Sequence, residues 1–210
     1  MNLNFEEEIR KNKRKKIIKE CIIWVIEIFA AILLAYLLIH FCVRKMGTIG
    51  SAMEPTLYNG EAVYINTKSY LFLSPDREEV IAFYDKEGVD DEGEEPLVIF
   101  RRVIGLPGEK VQITDGKIFI NGEELKEKYE YKPMATAGIA EQEITLGEEE
   151  YFVLCDSRVD SDDSRNASFG MVKKSQIIGR VWFKHEPFSR VTGPDSKAYE
   201  TEEPEKEEEN

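Results

Sequence analysis

Nucleophilic chemistry in this sequence has two candidate carriers. One is Ser51, in the run "GTIGSAMEPTLY" at 47–58; the other is Cys155, in "CDSRVDSDDSRNASFG" at 155–170. A hydroxyl or thiol becomes a good nucleophile only when a neighbouring base takes its proton or its pKa is lowered. His40 and His185 are isolated, and no motif places Lys45 or Lys110 beside either candidate. The three cysteines, Cys21, Cys42 and Cys155, form no disulfide framework. No His, Cys or carboxylate cluster has ligand spacing, so neither a metal nor a cofactor is expected.

Such residues need elements to position them. Residues 21–43, "CIIWVIEIFAAILLAYLLIHFCV", are apolar apart from Glu27 and His40. A helix of that length spans roughly 34 Å, enough to cross a hydrocarbon core of about 30 Å. A cleaved signal would have a shorter apolar core followed by a small-residue cleavage site, so the stretch reads as a retained transmembrane anchor. Seven basic residues precede it (Arg10, Lys11, Lys13, Arg14, Lys15, Lys16, Lys19), against Arg44 and Lys45 after it. The positive-inside rule then makes 1–20 a cytoplasmic basic segment and puts residues 44–210 outside. Glu27, about two turns in, is read as reaching toward Lys19 or water near the cytoplasmic interface rather than as an intramembrane site.

The 210 residues carry a net charge of −13, which argues against a nucleic-acid partner. Short apolar runs at 61–66, 78–85, 96–105, 109–122, 149–156 and 176–188 read as strands. Asp115-Gly116 and Asn121-Gly122 mark tight turns. The prediction is a mostly-β domain over 44–192, with an exposed acidic loop at 85–95. An acidic tail at 193–210 has too few apolar groups to offset the entropy of ordering.

Four boxes in order resemble the bacterial type I signal peptidases, membrane-bound serine proteases with a Ser/Lys dyad. Gly50-Ser51-Ala52-Met53-Glu54-Pro55-Thr56-Leu57 is similar to the family's G-x-S-M-x-P-T-L. "REEVIAF" (77–83) resembles R-G-D-I-V-x-F, "FRRVIGLPGEKV" (100–111) resembles K-R-x-I-G-L-P-G-D, and 155–170 resembles G-D-N-R-x-x-S-x-D-S-R-x-x-G. The resemblance implies coiled antiparallel β-sheets behind one N-terminal transmembrane helix. It also implies an extracytoplasmic groove that takes an extended peptide by added-strand pairing.

On that resemblance Ala52 stands at the nucleophile position and Arg101 at the general-base position. A methyl group cannot attack a carbonyl. The family's lysine works by becoming neutral, and a guanidinium keeps its proton. The resemblance further implies that Arg102, Asp163 and Arg165 supply ion-pair support and that Ser161 is the serine that orients the base. Gly50 and the Ala52 N–H fall in the oxyanion region, and Met53, Pro55 and Thr56 shape the loop. Cys155 and Ser157 depart from the family's glycine and asparagine. Were the loop extended, Ser51 and Ala52 would face opposite sides, leaving Ser51 out of the site.

The expected function is therefore that of a catalytically impaired signal-peptidase-like membrane protein of the secretory pathway. It would bind signal peptides, exported preproteins or pilin precursors, as dyad-lacking relatives that assist pilus assembly in Gram-positive bacteria do. The alternatives are an active signal peptidase with a displaced nucleophile and a structural partner of an active paralogue or of pilus and sortase components. The lipid bilayer is the other expected partner.

Overall fold

A computed structural model describes residues 3–86, 96–129, 131–132, 134–160 and 162–192. The chain divides into two units at the junction of Cys42 and Val43. The first holds α1, Leu3–Cys42, which starts in the basic segment and runs through the apolar stretch without a break. Its Ile17, Trp24, Ile26, Phe29 and Leu34 are all more than half exposed. A helix apolar on every side has no hydrophilic face to offer water, and Lys15–Cys42 is long and apolar enough to cross a membrane.

The second unit is built from strands in antiparallel pairs. They are β1 Val43–Gly47, β2 Ala62–Asn66, β3 Val80–Tyr84, β4 Val98–Gly105, β5 Lys110–Thr114, β6 Lys117–Ile120, β7 Glu123–Glu124, β8 Ile144–Thr145, β9 Glu150–Leu154, β10 Val172–Lys173, β11 Ile177–Lys184 and β12 Ser189–Arg190. The larger sheet has the order β1-β2-β11-β3-β4-β9-β10, with β12 pairing β11, and the smaller runs β7-β6-β5-β8. The mostly-β, curled antiparallel architecture expected from the sequence is the one observed.

Local chemistry accounts for these elements. In β2 the buried Val63 and Ile65 alternate with half-buried neighbours, the period of a strand with one core face. β3, "VIAFY", buries four residues in succession because both its faces are covered. The β5–β6 hairpin turns on Asp115 and Gly116, both with positive φ (51° and 74°), as a two-residue type I′ turn requires. Packing forms three clusters. One centres on Met53, Leu57, Val63, Val80 and Phe100, a second lies under the smaller sheet, and a third is gathered around Ile81, Phe83 and Tyr151.

Where the sequence reading stops short, the reasons are physical. β1 carries no strand signal in the sequence, because Arg44 and Lys45 leave it no apolar alternation. β7, β8, β10 and β12 are two-residue ladders, too short for periodicity to reveal. Most of the acidic loop (87–95) and the whole tail at 193–210 lie outside the described residues.

Two glycines mark close approaches of backbone. A Cβ on Gly105 would sit 2.6 Å from Val111 Cγ2 and 2.9 Å from Phe152 Cβ. One on Gly179 would sit 2.2 Å from the Asn66 carbonyl oxygen, where β11 crosses β2 next to a bulge. Because backbone cannot yield as a side-chain tip does, Gly179→Ala is expected to destabilise the domain by about 2 kcal/mol, which lowers its Tm by roughly 4–8 °C. Thermal unfolding followed by circular dichroism checks this; an unchanged Tm would show that β11 is free to shift away from β2.

Candidate active site

The first wall of the site is the loop after β1. Gly50 takes a left-handed turn (φ 84°), and its N–H donates to Asn59 Oδ1 at 3.0 Å. Two further turns follow: Glu54 N–H to the Ser51 carbonyl at 2.9 Å and Leu57 N–H to the Met53 carbonyl at 2.8 Å. The segment is therefore coiled and not extended. This corrects the expectation that Ser51 and Ala52 face opposite sides: both line the same groove, Ser51 exposed and Ala52 half-buried. Met53, Thr56 and Leu57 turn inward and anchor the loop in the core. Ala52 is held from the opposite side by Ser157, whose N–H donates to its carbonyl at 3.0 Å.

The second wall is β4. Its residues Val98–Arg101 and the preceding Leu97 face Gly50, Ser51 and Ala52 across a groove of about 580 Å³, and Asp160, Asp162 and Asn166 complete the lining. β9 pairs with β4 only from Arg102 onward. Val98–Arg101 therefore lie outside the β4–β9 ladder where they border the groove.

Arg101 reaches into this groove but is almost fully buried, at 5% exposure. Each of its three nitrogens has an acceptor: Nε donates to the Asp162 carbonyl at 2.8 Å, Nη1 to the Phe100 carbonyl at 2.7 Å and Nη2 to Asp162 Oδ2 at 2.9 Å. The Phe169 ring lies 5.7 Å from the guanidinium carbon. Asp162, which sequence reasoning did not single out, is thus the counter-ion of Arg101. Among the described residues, no lysine or histidine lines the groove.

Behind the groove, charged residues interlock. Arg102 is fully buried and pairs bidentately with Asp156, Nε to Oδ1 at 2.7 Å and Nη2 to Oδ2 at 2.6 Å. Thr56 Oγ1 donates to the same carboxylate at 2.5 Å, and Arg102 Nη1 reaches the carbonyls of Glu78 (2.6 Å) and Thr192 (2.8 Å). Burial works against the Arg102 charge, but the Asp156 carboxylate more than offsets it and raises the pKa above the usual arginine value.

A second buried pair joins Asp163 to Arg165, with Nε to Oδ1 at 2.8 Å and Nη2 to Oδ2 at 2.7 Å. A third joins Arg158 to Glu127, with the Arg158 guanidinium over the Tyr131 ring at 3.9 Å. The ion-pair residues expected from the sequence are all present, but they belong to separate pairs, and Asp156, Arg158 and Glu127 were missed as partners. The alternation of Asp and Arg through 156–165 was the one available signal. Ser161 lies outside the described residues.

Cys155 is fully buried beneath Arg101. Its N–H donates to Asp163 Oδ2 at 2.9 Å and its thiol points to the Asp162 carbonyl at 3.5 Å. Burial, only partly opposed by the Arg101 charge, pushes the thiol up from 9.0 to about 12. Near neutral pH it is a protonated, buried thiol.

Comparison with known proteins now identifies the lineage. Residues 21–185 match the family described as signal peptidase, peptidase S26. The chain belongs to that family. It is 30% identical over 188 residues to signal peptidase IB of Staphylococcus aureus strain COL, covering 81% of this chain and 92% of that protein. It is also 30% identical over 197 residues to signal peptidase I of Bacillus licheniformis, covering 90% and 99% respectively. A crystal structure of a signal peptidase I from Enterococcus faecalis V583 aligns with 51% of the chain and 96% of its own, at 30% identity and a TM-score of 0.40. Family membership supports a role in signal-peptide processing, with substrates that carry signal peptides. Relatives in the family are membrane-anchored, and α1 is the candidate span here.

The buried thiol carries a direct expectation. A thiol whose folded pKa is raised stabilises the fold below its ordinary pKa near 9, and that contribution is lost as pH rises toward 12. At pH 8 Cys155 should resist an alkylating reagent in the folded protein and react readily in denaturant, as mass spectrometry of its peptide will read. Rapid alkylation of the native protein would show a mobile, reactive thiol and reopen its candidacy as a nucleophile.

Proposed function

We propose that this chain is a non-cleaving member of the signal peptidase family, which binds the signal peptides of exported or pilin precursors without cutting them. The observation that carries the reading is the pairing of Ala52 with Arg101 across one groove. The position we assign to the nucleophile bears a methyl group. The position we assign to the base bears a guanidinium each of whose nitrogens already donates to Asp162 or Phe100. A base must shed its proton to accept the nucleophile's, and arginine does not. Cys155 offers no substitute. The peptide-binding parts are intact: a turn after Gly50, an apolar wall from Leu97 to Phe100, and a β4 segment left outside the β9 ladder.

In the same reading the groove faces the outside of the cell. The seven basic residues before the apolar stretch, against two just after it, support a cytoplasmic N-terminus with 44–192 on the far side. Client delivery to an active paralogue, or to pilus and sortase components, is the role such a protein would play.

A second reading has one observation in its favour, the exposure of Ser51 on the groove wall. Its candidate bases would be the Asp160 and Asp162 carboxylates, and Asp162 is already paired with Arg101.

Serine hydrolases stripped of their catalytic groups retain only about 10³–10⁴-fold acceleration over water, which is invisible for a peptide bond in an ordinary assay. The purified full chain should therefore bind a fluorescent signal-peptide analogue saturably and release no cleaved product. Leu97→Asp, on the apolar wall, should weaken binding by about tenfold. Cleavage by the unmodified protein that Ser51→Ala abolishes would overturn this reading in favour of the displaced nucleophile.

A further inference from the structure

Beside the groove, across β4, lies a second cavity of about 300 Å³. Ile99 and Asp162 line both spaces, so the two meet at those residues. Phe83, Phe169 and Met171 give the second cavity apolar walls. Its charged lining is Asp85 and Asp162; among the described residues, no lysine, arginine or histidine lines it.

Strand alternation says what can enter. Val98 and Phe100 pack with Met53 and Leu57, on the face of β4 that meets the loop of Ala52. Ile99 packs on the opposite face, with Phe83 and Phe169. Successive side chains of a strand point to opposite faces. A peptide laid along the part of β4 that stands outside the β9 ladder follows the same alternation. Where one of its side chains turns toward Ala52, the next turns toward the second cavity.

Both carboxylates are held in place. Asp85 directly follows β3; its Oδ1 accepts the Leu97 N–H at 2.8 Å, and its own N–H donates to the Leu97 carbonyl at 2.9 Å. Both contacts are to uncharged backbone groups and leave its charge in place. Asp162 gives Oδ2 to Arg101 at 2.9 Å, yet its side chain is still 73% exposed. A carboxylate accepts several hydrogen bonds, so each of the two has capacity for a further donor. Aromatic and thioether walls that end in carboxylates suit one kind of side chain, a long apolar stem with a cationic head.

We propose that this second cavity receives a lysine or arginine side chain of the peptide held in the groove, at the position next to the residue that faces Ala52. The stem lies along Phe169 and Met171, and the cationic head meets Asp85 and Asp162. The chain thereby discriminates among signal-bearing precursors by a basic residue at one register position. The proposal rests on the reading of the groove as a peptide-binding site and adds the charge that this site prefers.

The test uses the purified full chain in phosphatidylcholine nanodiscs and fluorescent signal-peptide analogues. Lysine, norleucine or glutamate is placed at each successive position in turn, with alanine on either side. At one position lysine should bind about fivefold tighter than norleucine, with glutamate weakest, and the two adjacent positions should show no such preference. Raising the salt should shrink the ratio. Asp85→Asn keeps an Oδ1 acceptor for Leu97 and should cut the ratio to about twofold. Ser168→Lys, at an exposed lining residue, should abolish it by tethering an ammonium in the cavity. Saturable binding with no lysine preference at any position would overturn the proposal and leave the groove reading standing. Binding of none of the peptides would overturn the groove reading and this proposal with it. A lysine preference that both variants leave intact would also overturn it, and would move the recognition to Asp160 on the groove wall.

Discussion

The buried Arg102–Asp156 pair is the interaction on which the site's geometry depends. It brings together segments distant in sequence: the loop of Thr56, strand β4, the segment after β9, and the carbonyls of Glu78 and Thr192. Burying two charges is costly, and only the bidentate contact with all its auxiliary hydrogen bonds offsets that. Removing either partner would strand the other charge at a cost of about 3–5 kcal/mol, a large share of a typical domain's stability. The Asp163–Arg165 pair serves the next turn in the same way, and it positions Cys155 by taking its N–H. Hence both groove walls are also held from behind by buried ion pairs.

On the proposed reading, this arrangement lets the groove persist without a working dyad. The scaffold charges sit at 102, 156, 163 and 165, and the positions assigned to the dyad sit in front of them at 52 and 101. Arg101 is the chemically decisive residue. A buried lysine there would be driven toward its neutral form by desolvation. Arginine resists by remaining charged, and the structure supplies it with a counter-ion, Asp162, and two carbonyls. Arg101 thereby cross-links β4 to Asp162.

Much of this was legible in the sequence. The hairpin at Asp115-Gly116 was visible because only certain residues tolerate positive φ in succession. β2 to β6, β9 and β11 showed because a half-buried sheet imposes alternation or a short apolar run. Gly50, Ala52, Arg101, Arg102, Asp163 and Arg165 were legible through the four ordered boxes. Hidden were the partners. That Arg102 would choose Asp156, Arg101 choose Asp162 and Arg158 choose Glu127 depends on three-dimensional proximity between charges that look alike in a string. The coiling of 51–57, which puts Ser51 on the groove wall beside Ala52, is likewise set by Met53 and Leu57 sinking into the core. No local propensity announces it.

The central claim is that two side chains, and not the groove, separate this protein from a working peptidase. Purified Ala52→Ser, Arg101→Lys and the double variant, each incubated with a signal-peptide substrate and read by mass spectrometry of the products, test it most directly. The account predicts product from the double variant alone, because Ala52→Ser leaves a cation where a neutral amine is needed and Arg101→Lys leaves nothing to attack. Cleavage by Ala52→Ser alone would contradict it by placing the base elsewhere. A folded, peptide-binding double variant that releases no product would also contradict it, because the defect would then lie in the groove itself.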